Sequence, residues 1–444
     1  MTEQRRSLGR RALTLVGLFV GLIVMFVLLM TAVYALPQGR IVGNLKRSEA
    51  LLSSQGLRPY TLIEHRAYEL DGFTDGLMLD TSIVTQPGGP LFNAMGDFKQ
   101  ITSNASGAPD PILALKESAS GHRDNPGSYA YYWHGYQVFL RPALMVFTYG
   151  DLRYVNLIAL AALALAVVLL LHHRVGARAA VAFGLALAAC GFFIVPLSLQ
   201  FSSMTHVMLV ATLVVLVMAD SDWLGEHVPE FFMLVGMLAA FFDLLTTPLM
   251  TLGMPLAVAL VLAEKESRDH PVREDLRFLA QACVAWGVGY AGAWVAKWFI
   301  GAAVTKTDVV REAVAQLLFR AGASDAKPRF LEAIQLNLAD LAPMLRVHST
   351  MSTLVFLGVL ALVLTALLVA SQAPVAQILR ALPVLLVVPL PYLWYAAASN
   401  HSAIHNWFTY RGQVFAVFAL LYVLACAIDF ETLARRLGHS RAES

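Results

Sequence analysis

The stretch ALTLVGLFVGLIVMFVLLMTAVYAL, Ala12 to Leu36, decides the fold. It carries no charged side chain, and an apolar run longer than about 18 residues crosses a bilayer as one helix. Arg5, Arg6, Arg10 and Arg11 precede it, as basic residues precede the apolar core of a signal peptide. That core is usually about 7–15 residues; this run is longer and many more follow, so it reads as a retained first helix.

Outward from there, the pattern repeats. The chain has 444 residues, 58% hydrophobic and 14% charged, with mean hydropathy +0.63. A soluble domain carries roughly a quarter charged residues. Ten spans are expected, at 12–36, 154–171, 179–199, 205–219, 229–244, 247–263, 277–299, 350–371, 381–398 and 412–428. The fold class is an all-α polytopic membrane protein. The fifth and sixth spans divide only at Asp243 to Pro248 and alternatively form one broken helix with a re-entrant piece. A net charge of +2 with no basic stripe argues against nucleic acid as a partner. Cys190, Cys283 and Cys426 each sit in an apolar run without a CxxC pair, so neither a disulfide framework nor a zinc site is implied.

Charge sets the topology. An even number of spans places both termini on one side, whose loops and tails (1–11, the short connections and 429–444) hold fourteen Lys and Arg. Opposite them, the short connections hold only Arg411. By the positive-inside rule both termini are cytoplasmic. The two long hydrophilic segments, 37–153 between the first span and spans two to seven (154–299), and 300–349 before the last three (350–428), therefore face outward. Chemistry is expected there.

The first loop carries YELDGFTDGLMLD, Tyr68 to Asp80, and the aromatic SYAYYWHGYQVFLRP, Ser128 to Pro142. If the first is helical, Asp71 and Asp75 share a face. Two neighbouring carboxylates make an acid or base near neutrality, or chelate a hard cation such as Mg or Mn; a solvated helix start is the plainer reading. Trp133, His134 and Tyr136 suit sugar contact or a belt at the headgroups, and His206 joins them on the same side. The second loop reads as two amphipathic helices, broken at Gly322 and Ser324 and restarted by Pro328, either lying on the membrane or lidding a cavity. Asp243, in FFDLLTTPLM, is an acid at membrane depth, where a charge costs about 2.5–3.5 kcal/mol on insertion scales, and by default marks a functional site. Lys297 interrupts the seventh span. His401, His405 and Arg411 share NHSAIHNWFTYR, Asn400 to Arg411. Arg and Lys at this edge suit a phosphate, Arg as a bidentate fork and Lys as a point charge.

No Walker A loop, GxSxG elbow or GxGxxG is present, so ATP hydrolysis, serine-hydrolase chemistry and dinucleotide binding lack support. A sugar donor outside the membrane has to arrive attached to a lipid. The layout over about residues 12–300 resembles the GT-C superfamily of membrane glycosyltransferases, which use polyprenyl-phosphate-linked sugars and place a long outer loop after the first span. The resemblance implies a bacterial inner-membrane enzyme with an acid of that loop as base, here Asp71 or Asp75. It implies cations on the lipid phosphate, by role Lys297 and Arg411, with His401 and His405 as further candidates. Asp243 would orient the acceptor (a glycan, lipid or protein) or a metal. The acids lie deeper in the loop than in many relatives, and the WWDxG motif of the oligosaccharyltransferase branch is missing.

Two rivals stay open. An O-antigen-ligase or polymerase-like enzyme working on lipid-diphosphate glycans would make His401, His405 and Arg411 central and the loop acids dispensable. A lipid or polysaccharide transporter would show repeats and mid-membrane polar groups; the sequence has no clear repeat, and its ionisable residues gather at one edge.

Overall fold

A computed structural model describes residues 2–266, 272–323, 329–341 and 379–429, with the single positions 358, 362, 365, 369, 432 and 435 besides. The chain folds as a helical membrane protein. Helix α1 (Thr2–Tyr34) leaves Leu13, Val16, Val20 and Leu28 exposed along its flank, the surface a span shows to lipid. The first loop then folds into α2 (Gln38–Gln55), α3 (Gly72–Asp80), α4 (Gly89–Gly96), α5 (Pro111–Ser120) and α6 (Gln137–Leu144). Between them, β1 (Lys99–Gln100) pairs antiparallel with β2 (Pro126–Gly127).

Helices α7 (Tyr149–Arg174), α8 (Ala177–Ala189), α9 (Leu199–Val217), the short α10 (Trp223–Glu226), α11 (Val228–Phe242), α12 (Met250–Glu266) and α13 (Val272–Thr305) follow. The second loop contributes α14 (Val309–Ala321) and α15 (Phe330–Asp340), and the chain ends through α16 (Leu390–Ala397), α17 (Ser399–Ile404), α18 (Asn406–Thr409) and α19 (Val414–Ala427).

Among the described residues, six stretches are long and apolar enough to cross a membrane: Gly9–Tyr34, Tyr149–Arg174, Leu199–Asp220, Arg273–Thr305, Leu379–Ala397 and Asn406–Ala427. Ala177–Ala189, Val228–Phe242 and Met250–Glu264 are apolar but shorter. The expected eighth span, 350–371, and the Pro328 restart lie outside the described residues. Two expected spans are not continuous α-helix. The third stops after Ala189, where Gly191 takes φ 66° and Pro196 sits in a 3-10 turn, Phe192–Leu197. The ninth opens with another 3-10 turn, Leu382–Val387, because Pro383, Pro389 and Pro391 remove donors that an α-helix needs. The fifth and sixth are separate helices, α11 and α12, joined by a turn that starts at Asp243.

The second loop forms two helices as expected. Asp308 caps α14 by accepting from the Arg311 amide, and Gly322 ends it at φ 76°. Contacts sort the bundle into two ends. At the N-terminal end Arg11 pairs with Glu230 at 3.4 Å and Arg174 pairs with Asp220. Both long loops pack at the other end.

Helices α11 and α13 cross closely. A Cβ on Gly236 would meet the Trp286 carbonyl oxygen at 2.2 Å, and one on Gly289 the Met233 oxygen at 2.3 Å. Reciprocal glycines let two backbones touch, the device that small residues supply in membrane helix pairs. This crossing sets where Asp243 and Lys297, on the parts of the same two elements away from the N-terminal end, stand. Gly289→Val is expected to force the pair apart at a cost of about 1–3 kcal/mol, read as a lower thermal midpoint of the detergent-purified protein. An unchanged midpoint would contradict the crossing.

Candidate functional site

Charges buried at the end of the bundle away from the N-terminus divide into those fully answered by partners and those left with unmet bonding capacity. Lys297 belongs to the first group. It is fully buried, its Nζ 2.8 Å from Asp97 Oδ2, and it also donates to the Met95 and Ala94 carbonyls at 3.0 and 3.3 Å. Tyr34 donates to the other Asp97 oxygen at 3.1 Å. The expected phosphate-binding lysine is instead the anchor that ties the first loop to α13, a correction that follows from its three acceptors being supplied by the protein.

Asp75 is likewise occupied. Its carboxylate accepts from Tyr149 Oη, Ser198 Oγ at 3.0 Å, and the Leu199 and Gln200 amides at 3.1 Å. The last two are free N–H groups of the first turn of α9, which always need an acceptor. Asp75 therefore docks α3 onto α9, and a carboxylate so engaged has no oxygen turned towards a cation or an acceptor. Among the described residues no three His, Cys, Asp or Glu side chains gather as metal ligands.

The aromatic candidates are packing residues as well. Trp133 donates to the Ala293 carbonyl at 2.8 Å and lies among Phe26 and Phe241. His134, at φ 53° and fully buried, uses both ring nitrogens, on Tyr136 Oη at 2.8 Å and the Tyr129 carbonyl at 3.0 Å. Burial pushes its pKa down to about 3, so the ring is neutral. Tyr136 also lies within 3.3 Å of Thr81 Oγ1. His206 turns to its own helix, Nδ1 on the Ser202 carbonyl at 2.9 Å. None of the four meets the arrangement expected of a sugar contact in a cleft.

One cluster of unmet capacity lies where the first loop, α15 and the NHSAIHNWFTYR segment converge. This segment is broken into α17, α18 and a 3-10 turn, Tyr410–Gln413, and nearly all of it is buried despite its polarity. Arg411 donates to the Trp407 and Ala67 carbonyls, both at 3.1 Å, and lies over the Phe201 ring at 4.3 Å. Its Nε has no partner, and among the described residues no carboxylate lies within ion-pair distance. Glu69 Oε2, His405 Nδ1, Asn406 Oδ1 and Trp407 Nε1 are also buried without a partner.

Two exposed arginines stand over this group. Arg58 covers the Trp407 ring at 5.3 Å, and its charge opposes the rise in the Asp71 pKa. Arg66 acts on His405 and on Asp340. Asp71 caps α3 through the Thr74 amide at 2.9 Å and is buried. Burial, chiefly, raises its pKa to about 7. Asp340 accepts from Asn406 Nδ2 at 2.6 Å, and burial raises it to about 6. Burial, then the Arg320, Arg58 and Arg66 charges, lowers His405 to about 4, so it is a neutral ring and not a cation for a phosphate. His401 is pushed well down by burial. Its Nε2 donates to the Leu245 carbonyl at 2.7 Å, so its Nδ1 accepts from Arg320 Nη1 at 3.1 Å. Both His401 nitrogens are spent on the scaffold.

Arg411 also lines a small cavity of about 20 Å³ whose walls include Phe192, Val195, Phe201, Met250 and Val414, with Thr205, Thr246 and Thr247 as its other polar members. The DLLTTP and NHSAIHNWFTYR segments, noted separately in the sequence, thus meet here. The structure brings Asp71 and Arg411 to one neighbourhood through Ala67, Arg58 and Trp407, and leaves Asp75 and Lys297 out of it. Arg58, Arg66, Arg320 and Asp340 were not anticipated. Asp340 alone left a signal: an acid on the last residue of a helix opposes the helix dipole.

No protein-family model, curated protein or solved structure matches the chain.

Removing one partner of a fully buried pair strands the other charge at a cost of about 3–5 kcal/mol. Lys297→Met is therefore expected to lower the thermal midpoint sharply, and Lys297→Met with Asp97→Leu to recover most of it. Loss of phosphate-ligand binding without loss of stability would instead return Lys297 to the site.

Proposed function

We propose that the chain transfers a glycosyl group from a polyprenyl-phosphate-linked donor to an acceptor hydroxyl, at the end of the bundle opposite its N-terminus. The basic loops at the N-terminal end make that end cytoplasmic and the site extracytoplasmic. The observation that carries the reading is Arg411: a buried guanidinium with an unpaired N–H and, among the described residues, no carboxylate within ion-pair distance, at the polar edge of a small apolar cavity. A permanent cation held this way needs an anion, which the phosphate of a lipid-linked donor would supply.

Asp71 takes the acceptor's proton. The acceptor oxygen forms a bond to the anomeric carbon, and the bond from that carbon to the phosphate oxygen breaks. The lipid phosphate leaves with the electron pair, and Arg411, with Arg58 and Arg66 at the mouth, stabilises its growing negative charge. No step is routed through a cation, because Asp75 has no free oxygen for one. A second reading is favoured by the three arginines that bear on neutral, unpaired His405: a lipid-diphosphate ligase or polymerase in which His405 Nδ1 is the base.

The base form of Asp71 appears only above its raised pKa, so kcat is expected to rise with pH through about 7. Asp71→Asn should lower kcat by roughly 10²–10⁴-fold and remove that rising limb, whereas His405→Ala should preserve it. The reverse pattern selects the ligase or polymerase. Full activity of Arg411→Ala with polyprenyl-phosphate-sugar would sink both.

A further inference from the structure

At the Asp243 turn lies a second group of unmet polar atoms. Asp243 is buried, and its Oδ1 accepts from the Thr246 amide at 2.7 Å, while its Oδ2 has no partner. Trp394 Nε1, from α16, is also buried and unpartnered, and Tyr290 Oη and Trp294 Nε1, which lie near one another on α13, are buried without a well-formed hydrogen bond. They are neighbours. The Tyr290 ring centroid lies 6.1 Å from Trp294 and 6.2 Å from Trp394, and Trp294 packs 4.9 Å from Tyr132. Asp243 is close enough for its charge to act on Tyr290 and Tyr132, and Arg320 sits 5.7 Å over the Tyr132 ring.

Each buried polar atom without a partner costs about 1–3 kcal/mol. Four of them on three elements, linked through Tyr290, mark a place that a ligand completes. Interfacial tryptophans would turn their indole N–H towards headgroups; here both rings are half-buried and both N–H groups are buried. The inventory names the ligand chemistry. One carboxylate oxygen accepts, three neutral groups donate, and aromatic rings surround them. A phosphate would be repelled by Asp243, and an acyl chain would leave all four atoms unmet. A sugar ring fits, because each hydroxyl both donates and accepts while its C–H faces lie on aromatic rings.

We infer that Asp243, Tyr290, Trp294 and Trp394 form a carbohydrate subsite that seats the acceptor, so that the acceptor is a glycan and not a protein or a lipid. The inference rests on the transfer reading for its placement. The Asp243 turn runs from the subsite to the Arg411 cavity, which Thr246 and Thr247 line. Arg320 and His401 bridge the two through the Leu245 carbonyl.

The test uses the full chain in lipid nanodiscs and two probes measured separately. Soluble hexose and N-acetylhexosamine trisaccharides are followed by saturation-transfer NMR, and polyprenyl phosphate by displacement binding. At least one trisaccharide is expected to bind, and Tyr290→Phe and Asp243→Asn each to weaken it about tenfold or more, with thermal midpoint and polyprenyl phosphate affinity unchanged. Arg411→Ala should do the opposite. If no trisaccharide binds the wild type, or if binding is the same in both variants, the subsite is refuted while the lipid-phosphate reading stands. If trisaccharides bind as expected but polyprenyl phosphate does not bind, the subsite stands and the transfer reading falls.

Discussion

A charge removed from water must be answered, and this structure is organised by how that demand is met. Lys297 is the clearest case. A lysine on a membrane-crossing helix, with no exposure to solvent, is tolerable only because Asp97 and two carbonyls close around it. Asp97 lies two hundred residues earlier, in the first loop, so the pair fixes a long insertion onto α13. Arg141 also ties the loop down, donating to the Val33 carbonyl at 2.9 Å and to that of Ser82, although its Nη2 has no partner. With Asp75 clamped on the start of α9, the loop is held at three places. It is therefore part of the bundle's end away from the N-terminus and not a tether, which is what a binding site built between loop and helices requires.

The same demand separates scaffold from site. Where every lone pair and proton has a protein partner, as for Asp75, Lys297, His134 and His401, the residue has no capacity left for a ligand. Where atoms remain unmet after burial, as for Arg411, His405, Glu69 and Asp243, the fold bears a cost that packing does not offset. These four lie in two places with different chemistry, while Asp80, Gln137, Arg141 and Gln200 carry unmet atoms elsewhere. Around Arg411 the excess is cationic and the wall apolar. Around Asp243 the excess is neutral donors facing one carboxylate. Such a division is what a reaction between an anionic lipid carrier and a polyhydroxyl acceptor would need.

Much of the frame could be read from the sequence because it depends on local properties. Apolar run length gave α1, α7 and α9, helical periodicity gave α14, and proline and glycine marked where runs break, although the 3-10 turns they produce were read as continuous helix. The site was less legible. Asp71 and Asp75 are four apart and chemically alike, and nothing local separates a carboxylate facing a cleft from one seated on the N-terminus of α9. Lys297 and its partner Asp97 could not be matched, since a pair formed across two hundred residues leaves no periodic trace. The density of Tyr129 to Tyr136 reflected packing beneath the first loop. By contrast, the NHSAIHNWFTYR segment was legible as unusual, because a polar stretch between two apolar runs has to find partners or solvent.

That segment also shows why a histidine can matter without reacting. His401 is neutral because burial opposes its charge, and its tautomer is fixed because Nε2 must donate to the Leu245 carbonyl. Nδ1 is then left as an acceptor, which suits the Arg320 guanidinium and nothing anionic. A protonated His401 would repel Arg320 and release α14 from the Asp243 turn. Leu245 itself sits at φ 65°, a conformation costly for a branched side chain, and the His401 bond helps to hold it. The ring thus sets the distance between the two halves of the site. Both halves need that spacing to be constant if an acceptor in one is to meet a leaving phosphate in the other.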